Sequence, residues 1–440
     1  MMYGELRLRK LSVALLLGVL AACSSSDDTP KLQGKRIAVL ADYSQIKADD
    51  SLNNVTVNVP DAERNKDWSQ AAGGQQGMTG NLAIEGFDHH DRKSIGDGNT
   101  WEQPLYTAPV VGNGVVYAMD SKGYITAHDA ADISDVKWKS ESAVEKDEPD
   151  VLGGGLAYDS GHLFVTTGRG KVFALNAADG KVVWQQAIDI PLRAAPKVAQ
   201  GKVYVLSVDN QMFALDAATG KQIWNQRGMN ENAGFLASIS PAVSDTMVVV
   251  PYSSGEIHAL DTQSGQDLWN DSLLRPHRTS ATSIFSGIGG DPVIKDGIVY
   301  AAGSDGFAAA FDLQNGRVGW QQDISSLNTL WVAGDFIYMI SNNQEIACLY
   351  RADGRVKWVK QLQRYGNEDS HTDPYFWQGP VMVGGRLLVA DTHGEMLALS
   401  PKDGSTLETI DIASGITSEP VVAGGRLYYV TKNAKLHVMW

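Results

Sequence analysis

An all-β body of eight four-stranded blades is the fold class that the sequence predicts. Three observations carry it: one phrase repeated through the chain, runs of alternating β-branched and aromatic residues, and 45 glycines against 15 prolines. That balance suits many tight turns rather than disorder. The phrase reads "ALDAATGKQIW" up to Trp224, and recurs as "ALNAADGKVVW" at Trp184, "ALDTQSGQDLW" at Trp269, "AFDLQNGRVGW" at Trp320 and "CLYRADGRVKW" at Trp358. Trp138 ends a variant, "AHDAADISDVKW", with Ser134 in place of the glycine, and "ALSPKDGSTLE" carries Glu408 where the tryptophan would stand. Successive tryptophans are 46, 40, 45, 51 and 38 residues apart, the period of four-stranded propeller blades rather than of helical repeats of ~33–34 residues.

One full copy, "APKVAQGKVYVLSVDNQMFALDAATGKQIWNQ", holds four short strand-like runs, "PKVA", "KVYVLSV", "QMFALDA" and "KQIWNQ". In its last turn Asp216 and Thr219 can bond local amides, and Gly220 can take the positive φ that the turn needs. Trp138, Trp184, Trp224, Trp269, Trp320 and Trp358 fall on the last strand, where a large ring at fixed register fills the space between sheets. They are read as packing residues, and Glu408 predicts a looser seventh docking.

Copies start near Ala108, Leu152, Ala195, Ser240, Asp291, Leu330 and Gly379, and an eighth, "EPVVAGGRLYYVTKNAKLHVMW", has room for three strands. An open sheet edge would be a weak point. Residues 87–95, within "GFDHHDRKSIGDG", are therefore expected to supply the missing strand and close the ring. Asp88, His89, His90 and Asp91 do not read as a metal site, because neighbours on a strand face opposite ways.

Residues 1–22 read as a secretory signal: Arg7, Arg9 and Lys10 precede an apolar run too short for the ~20 residues of a membrane span. "LAAC" resembles a lipobox, which makes Cys23 the lipid attachment site; Ser24 after it implies outer-membrane delivery. Residues 23–61 are expected to be a polar tether, in which "RIAVL" and "NVTVNV" could add strands, and residues 62–440 the propeller. Cys348, the one other cysteine, reads as a small buried apolar residue. The formal charge is −14, and loss of the net +2 of residues 1–22 takes it to −16. Such a chain is repelled by phosphate backbones, which excludes nucleic acid as the natural partner.

Catalytic motifs are missing. "LGGGLAYDSG" leads into a strand, so no helix N-terminus follows to hold a phosphate. No Walker loop, G-x-S-x-G elbow or H-E-x-x-H occurs, and "EKDEPD" (residues 145–150) reads as a solvated loop. No catalytic, cofactor or metal residue is expected.

The phrase A-x-D-x-x-T-G-x-x-x-W resembles the tryptophan-docking motif of the eight-bladed quinoprotein alcohol dehydrogenases, which use pyrroloquinoline quinone and calcium. Members of that family usually carry an adjacent cysteine pair over the cofactor, and this chain has none. With the lipobox, the tether and eight repeats, the chain is more similar to the BamB family, propeller lipoproteins of the outer-membrane β-barrel assembly machinery. "LGGGLAYDSGHLFVTTGRG", "PLRAAP", "VVPYSSGE" and "RADGRVKWV" look like its alphaproteobacterial branch. The resemblance covers about residues 60–440.

It implies a non-enzymatic scaffold, lipid-anchored in the outer membrane and facing the periplasm. Such a scaffold docks on the POTRA domains of a BamA-like subunit and assists the assembly of nascent outer-membrane proteins. It also implies docking through the loops between the third and fourth and the fourth and fifth blades. Here "RGMNENAGFLASIS" offers Phe235 and Leu236, and "SLLRPHRTSATSIFSGIGG" offers Arg275, Arg278, Ile284 and Phe285. Apolar anchors beside arginine are what an interface hot spot favours; the alternative is that they pack their own loops. Where relatives carry acidic residues shortly before the fifth blade, this chain has Gly287 and Gly289, with Asp291 further on. A quinone-dependent dehydrogenase and a propeller binding an envelope ligand in its central funnel are the alternative functions.

Overall fold

Each copy of the repeat folds into a four-stranded antiparallel sheet. In the computed structural model, the copy read above gives strands Lys197–Ala199, Lys202–Leu206, Gln211–Asp216 and Gln222–Arg227, paired in that order. The structure describes residues 46–100, 105–142, 153–192, 194–229, 239–274 and 288–440. Sheets of the same order span residues 110–140, 154–187, 242–272, 293–322, 331–361 and 377–411. In chain order these make seven, and the copy around Trp224 is the third. Among the described residues there is no α-helix, only short 3-10 turns at Asp50–Leu52 and Ala71–Gly73.

An eighth sheet takes three strands, Val421–Ala423, Arg426–Thr431 and Lys435–Met439, from the end of the chain and its fourth, His90–Ser94, from near the start. His90 lies opposite Met439 and Ser94 opposite Lys435. The ladder continues outward: Trp440 and His89 exchange both main-chain bonds, and Ile95 donates to Ala434.

Burial follows the position of a strand in its sheet. Second and third strands such as Lys202–Leu206 and Gln211–Asp216 are buried on both faces, whereas fourth strands are mostly exposed, and in those that carry a tryptophan the ring is the large buried side chain, as in Gln222–Arg227 around Trp224. The register explains that residue. Trp138, Trp184, Trp224, Trp269 and Trp320 each face an alanine (Ala127, Ala174, Ala214, Ala259, Ala310), and Trp358 faces Cys348; a bulge follows at once in every case. Only a small side chain fits beside the indole, so Cys348 stands in for alanine and is fully buried.

Two expectations are corrected. The compact body begins at Ile46, so residues 46–61, read as tether, belong to it: Leu52 is buried, and Lys357 Nζ donates to its carbonyl at 2.6 Å. "NVTVNV" is not a strand either. Val57 joins the core by burying its side chain, without a ladder partner for its backbone. Short parallel strands form instead at Ala62–Glu63 and Asn81–Leu82, appended to the first strand of the seventh sheet.

Candidate docking surface

Neighbouring sheets are joined by one repeated contact. The Trp184 indole donates to the Ala217 carbonyl at 2.9 Å, in the turn between the third and fourth strands of the next sheet. Trp138 does the same to Ala177, Trp224 to Thr262, Trp269 to Leu313, Trp320 to Arg351 and Trp358 to Pro401, at 2.8–3.2 Å. The receiving turn is shaped for the ring. Gly220 has φ +72°, and a Cβ there would lie 2.5 Å from the Trp184 ring. Its glycine thus answers two demands, the positive φ and the passage of the neighbour's indole.

The seventh sheet departs for a physical reason. Its neighbour, the eighth, has no turn between third and fourth strands, because those strands belong to opposite ends of the chain. No receiving glycine exists, and Glu408 pairs instead with Arg386 at 2.7 Å, whose guanidinium lies over Phe87. From the eighth sheet to the first, Tyr428 Oη donates to Ala130 O at 2.7 Å, the same kind of acceptor the indoles use elsewhere. His89 and His90 face apart, as expected for strand neighbours: His89 stacks on Trp440, and His90 packs against His437 with ring nitrogens 2.7 Å apart.

In such meanders every connection from a fourth strand to the next first strand leaves at the same end. The predicted docking residues Phe235, Leu236, Arg275, Arg278, Ile284 and Phe285 sit on two of these connections and lie outside the described residues, as does Cys23. The stems of both loops are described. Leu274 bridges to Gly306 and Ile288 to Gly303, and Asn210 holds the Met229 carbonyl at 2.7 Å. Of the two glycines at the expected acidic positions, Gly287 lies outside the described residues, and Gly289 leaves no room for a side chain: Cβ atoms at Gly289 and its neighbour Gly290 would lie 1.8 Å from Ser326 O and 2.4 Å from Asn328 C. Asp291 is no surface acid but is buried.

Among the described residues, four exposed large apolar residues stand on connections at this same end: Tyr106, Met229 (61% exposed), Leu327 and Phe376 (50% exposed). The other exposed large apolar residues among those described, including Val183, Ile223 and Leu268, lie on fourth strands. Phe376 follows a hairpin, Tyr365–Asn367 with Thr372–Pro374, in which Tyr375 stacks on His393 and Asp373 holds that ring at 2.8 Å. Sequence reasoning passed over this hairpin; the spare length between "RVKWV" and "GPVMV" was its one signal.

Inside, three ionisable side chains come together from distant sheets. Lys197 is buried, its ordinary pKa lowered by that burial, with Asp291 and Glu419 close enough to oppose the shift. Burial pushes Asp291 up to about 6 against the pull of Lys197. Glu419 is raised to about 7 by burial and then by Asp291. Among the described residues no group of His, Cys, Asp and Glu side chains could hold a metal ion.

Four-stranded sheets joined by tryptophan on a glycine turn, with apolar residues gathered on one end, define a β-propeller of docking repeats. The sequence profile of the family described as "Outer membrane protein assembly factor BamB" matches residues 122–360 and 366–439, and the chain belongs to that family. The BamB of Shigella dysenteriae serotype 1 is 29% identical over 338 residues, 75% of this chain and 83% of that one. The BamB of Escherichia coli K12 is 28% identical over the same shares. Among solved structures, BamB from Moraxella catarrhalis matches with TM-score 0.66 at 20% identity, covering 80% of this chain and 100% of that one. Quinohemoprotein alcohol dehydrogenase from Comamonas testosteroni matches with TM-score 0.63 at 14% identity, covering 86% and 81%, a likeness of fold alone.

Proposed function

We propose that this chain is a non-catalytic assembly factor for outer-membrane proteins: a lipoprotein anchored through Cys23 and facing the periplasm, whose body is a closed eight-bladed propeller. Its fourth-to-first connections dock on POTRA domains of a BamA-like subunit and so assist the insertion of nascent outer-membrane proteins. Membership of the BamB family supports the role. The single observation that carries the docking end is the gathering of Tyr106, Met229, Leu327 and Phe376 on connections of one end, since exposed apolar side chains on loops mark interaction sites. Phe235, Leu236, Arg275, Arg278, Ile284 and Phe285 belong to the same end by topology. Ring closure is supported by the pairing of His90–Ser94 with Lys435–Met439 and by the stacking of Trp68, bridged to the first sheet, on Trp331 of the sixth.

Photoreactive residues at Met229, Phe235, Arg278 and Phe376 should crosslink to the partner in intact envelopes, and one at Gln75, on the opposite end, should not. Crosslinks confined to Gln75 would overturn the reading. Specific alcohol oxidation after reconstitution with pyrroloquinoline quinone and calcium would overturn its non-catalytic part.

A further inference from the structure

Residues 65–86 pass the first strand of every sheet in turn. Trp68 exchanges main-chain bonds with Val111 of the first sheet, and Ser69 O accepts from Tyr158 of the second. The Gln70 amide brackets Val198 of the third, accepting from its N–H and donating to its C=O, both at 2.9 Å. Gln75 O accepts from Val243 of the fourth sheet and Gln76 O from Ile294 of the fifth. Gly80 donates to Val332 of the sixth, Leu82 pairs with Val383 of the seventh, and Glu85 donates to Gly425 of the eighth. A first strand is an edge strand, with main-chain groups that call for partners. Here they find them on one stretch of about twenty residues, at the end bearing the first-to-second turns, opposite to the exposed apolar residues.

Beneath this stretch, Lys197 Nζ donates to the carbonyls of Ala71 and, at 2.7 Å, Gly74, while Glu419 Oε1 accepts the Ala72 amide at 3.1 Å. All three contacts are to backbone. The composition fits: "QAAGGQQG" keeps side chains small where the strands converge, and Gly77 lies so close to Val293 that a Cβ would sit at 3.1 Å. The family profile begins matching at residue 122, so this stretch lies outside what it matches.

We propose that the inner ends of the first strands form a binding site for the main chain of an extended, small-residue peptide, and that residues 65–86 of this chain are its occupant, a built-in cap. A buried ammonium is tolerated only when its N–H groups are bonded, and the cap carbonyls are the bonded acceptors of Lys197. Cap and lysine therefore hold each other. Any solute or peptide entering from this end must displace residues 65–86. This inference does not depend on which partner the other end binds.

Hydrogen exchange on the full-length protein tests it. Peptides covering residues 65–86 should exchange at least 100-fold more slowly than an unstructured chain. Lys197→Met should speed them at least 10-fold while peptides covering residues 202–216 keep their protection. Unstructured exchange of residues 65–86 in the wild type, or no change in K197M, would overturn the cap. If residues 202–216 lose protection too, K197M has not folded, and Gln70→Ala serves in its place with the same criteria. As a second measurement, residues 70–78 are replaced in the full chain by a stretch of equal length alternating glutamate and proline, too bulky for the converging strands and short of main-chain donors. A fluorescent synthetic peptide of residues 70–78 should bind this variant saturably and leave the wild type unbound. Equal binding to both, or none to a variant that still melts cooperatively, overturns the proposal.

Discussion

The main-chain amide of Ser240 donates to Oδ1 of Asp291 at 2.7 Å, joining the end of the loop that carries Phe235 and Leu236 to the end of the loop that carries Arg278 and Phe285. Both loops are thus set on one buried support. Asp291→Ala removes the acceptor and should cost about 1–3 kcal/mol for the unpaired amide. Asp291→Asn keeps an acceptor and should cost less, while retaining partner co-purification better than the alanine variant. Thermal melts and pull-downs of the two variants side by side check this.

The histidine pair at the chain ends should make the protein acid-sensitive. Burial first, then the neighbouring His90, Arg92 and Lys435, hold His437 down at about 3, against an unfolded value near 6.5. A base depressed in the fold contributes stability above pH ~6.5 that is lost as pH falls toward about 3, by up to about 1.4 kcal/mol per pH unit. His437→Gln should flatten that limb of the stability–pH curve.

The two carboxyls beside Lys197 work in the opposite sense. Asp291 and Glu419 are raised to about 6 and about 7, so their contribution is complete below the unfolded carboxylate range and is lost as pH rises through 6–7. Glu419→Gln should therefore lose less stability than the wild type between pH 4.5 and 7. Denaturant midpoints across that window, for Glu419→Gln and His437→Gln side by side, show slopes changed in opposite directions.

Tryptophan docking sets a further expectation. Trp224→Ala should cost about 3–5 kcal/mol, the range for removing a buried tryptophan. Gly265→Ala forces a Cβ to 2.6 Å from the same ring at φ +71°, and should also destabilise. Removing the ring relieves the clash, so the double variant should cost less than the two single effects together. A double-mutant cycle in urea measures the difference.

The strand from the chain start can be probed one amide at a time. His89 and Ile95 are ladder-bonded to Trp440 and Ala434, and alternation places the Asp91 amide in the ladder and the Arg92 amide away from it. Asp91→Pro should cost about 1–3 kcal/mol and broaden the melt, and Arg92→Pro should cost less. Equal losses would show that this pairing contributes little.

Much of this was legible in the sequence, because the repeat is written in residues with strict steric roles. The turn glycine and the tryptophan four residues later fix a strand, a turn and a face together, so the blade pattern could be read from them. Glu408 was read as looser docking, but its cause, the missing turn in the eighth sheet, lies in topology. The cap could not be read at all: "WSQAAGGQQGMTG" has no periodicity, since its order comes from eight strands brought around it. The burial of Asp291 could not be read either, because sequence does not show that Gly289 and Gly290 are pressed against residues 326–329. The hairpin at residues 365–374 has short polar strands that pair only with each other.

His90 meets His437 across 347 residues of chain, and Arg64 reaches Gly424 across 360. Whatever is synthesised first is therefore completed last. At about 5–20 residues per second, the strand His90–Ser94 spends roughly 20–70 s without Lys435–Met439, its partner, a window in which a holdase or a protease can engage an uncovered strand. A chain broken off before Lys435 never leaves that window, because His90–Ser94 then has no strand to pair with. A check on synthesis through the eighth sheet is thus written into the order in which the strands are made.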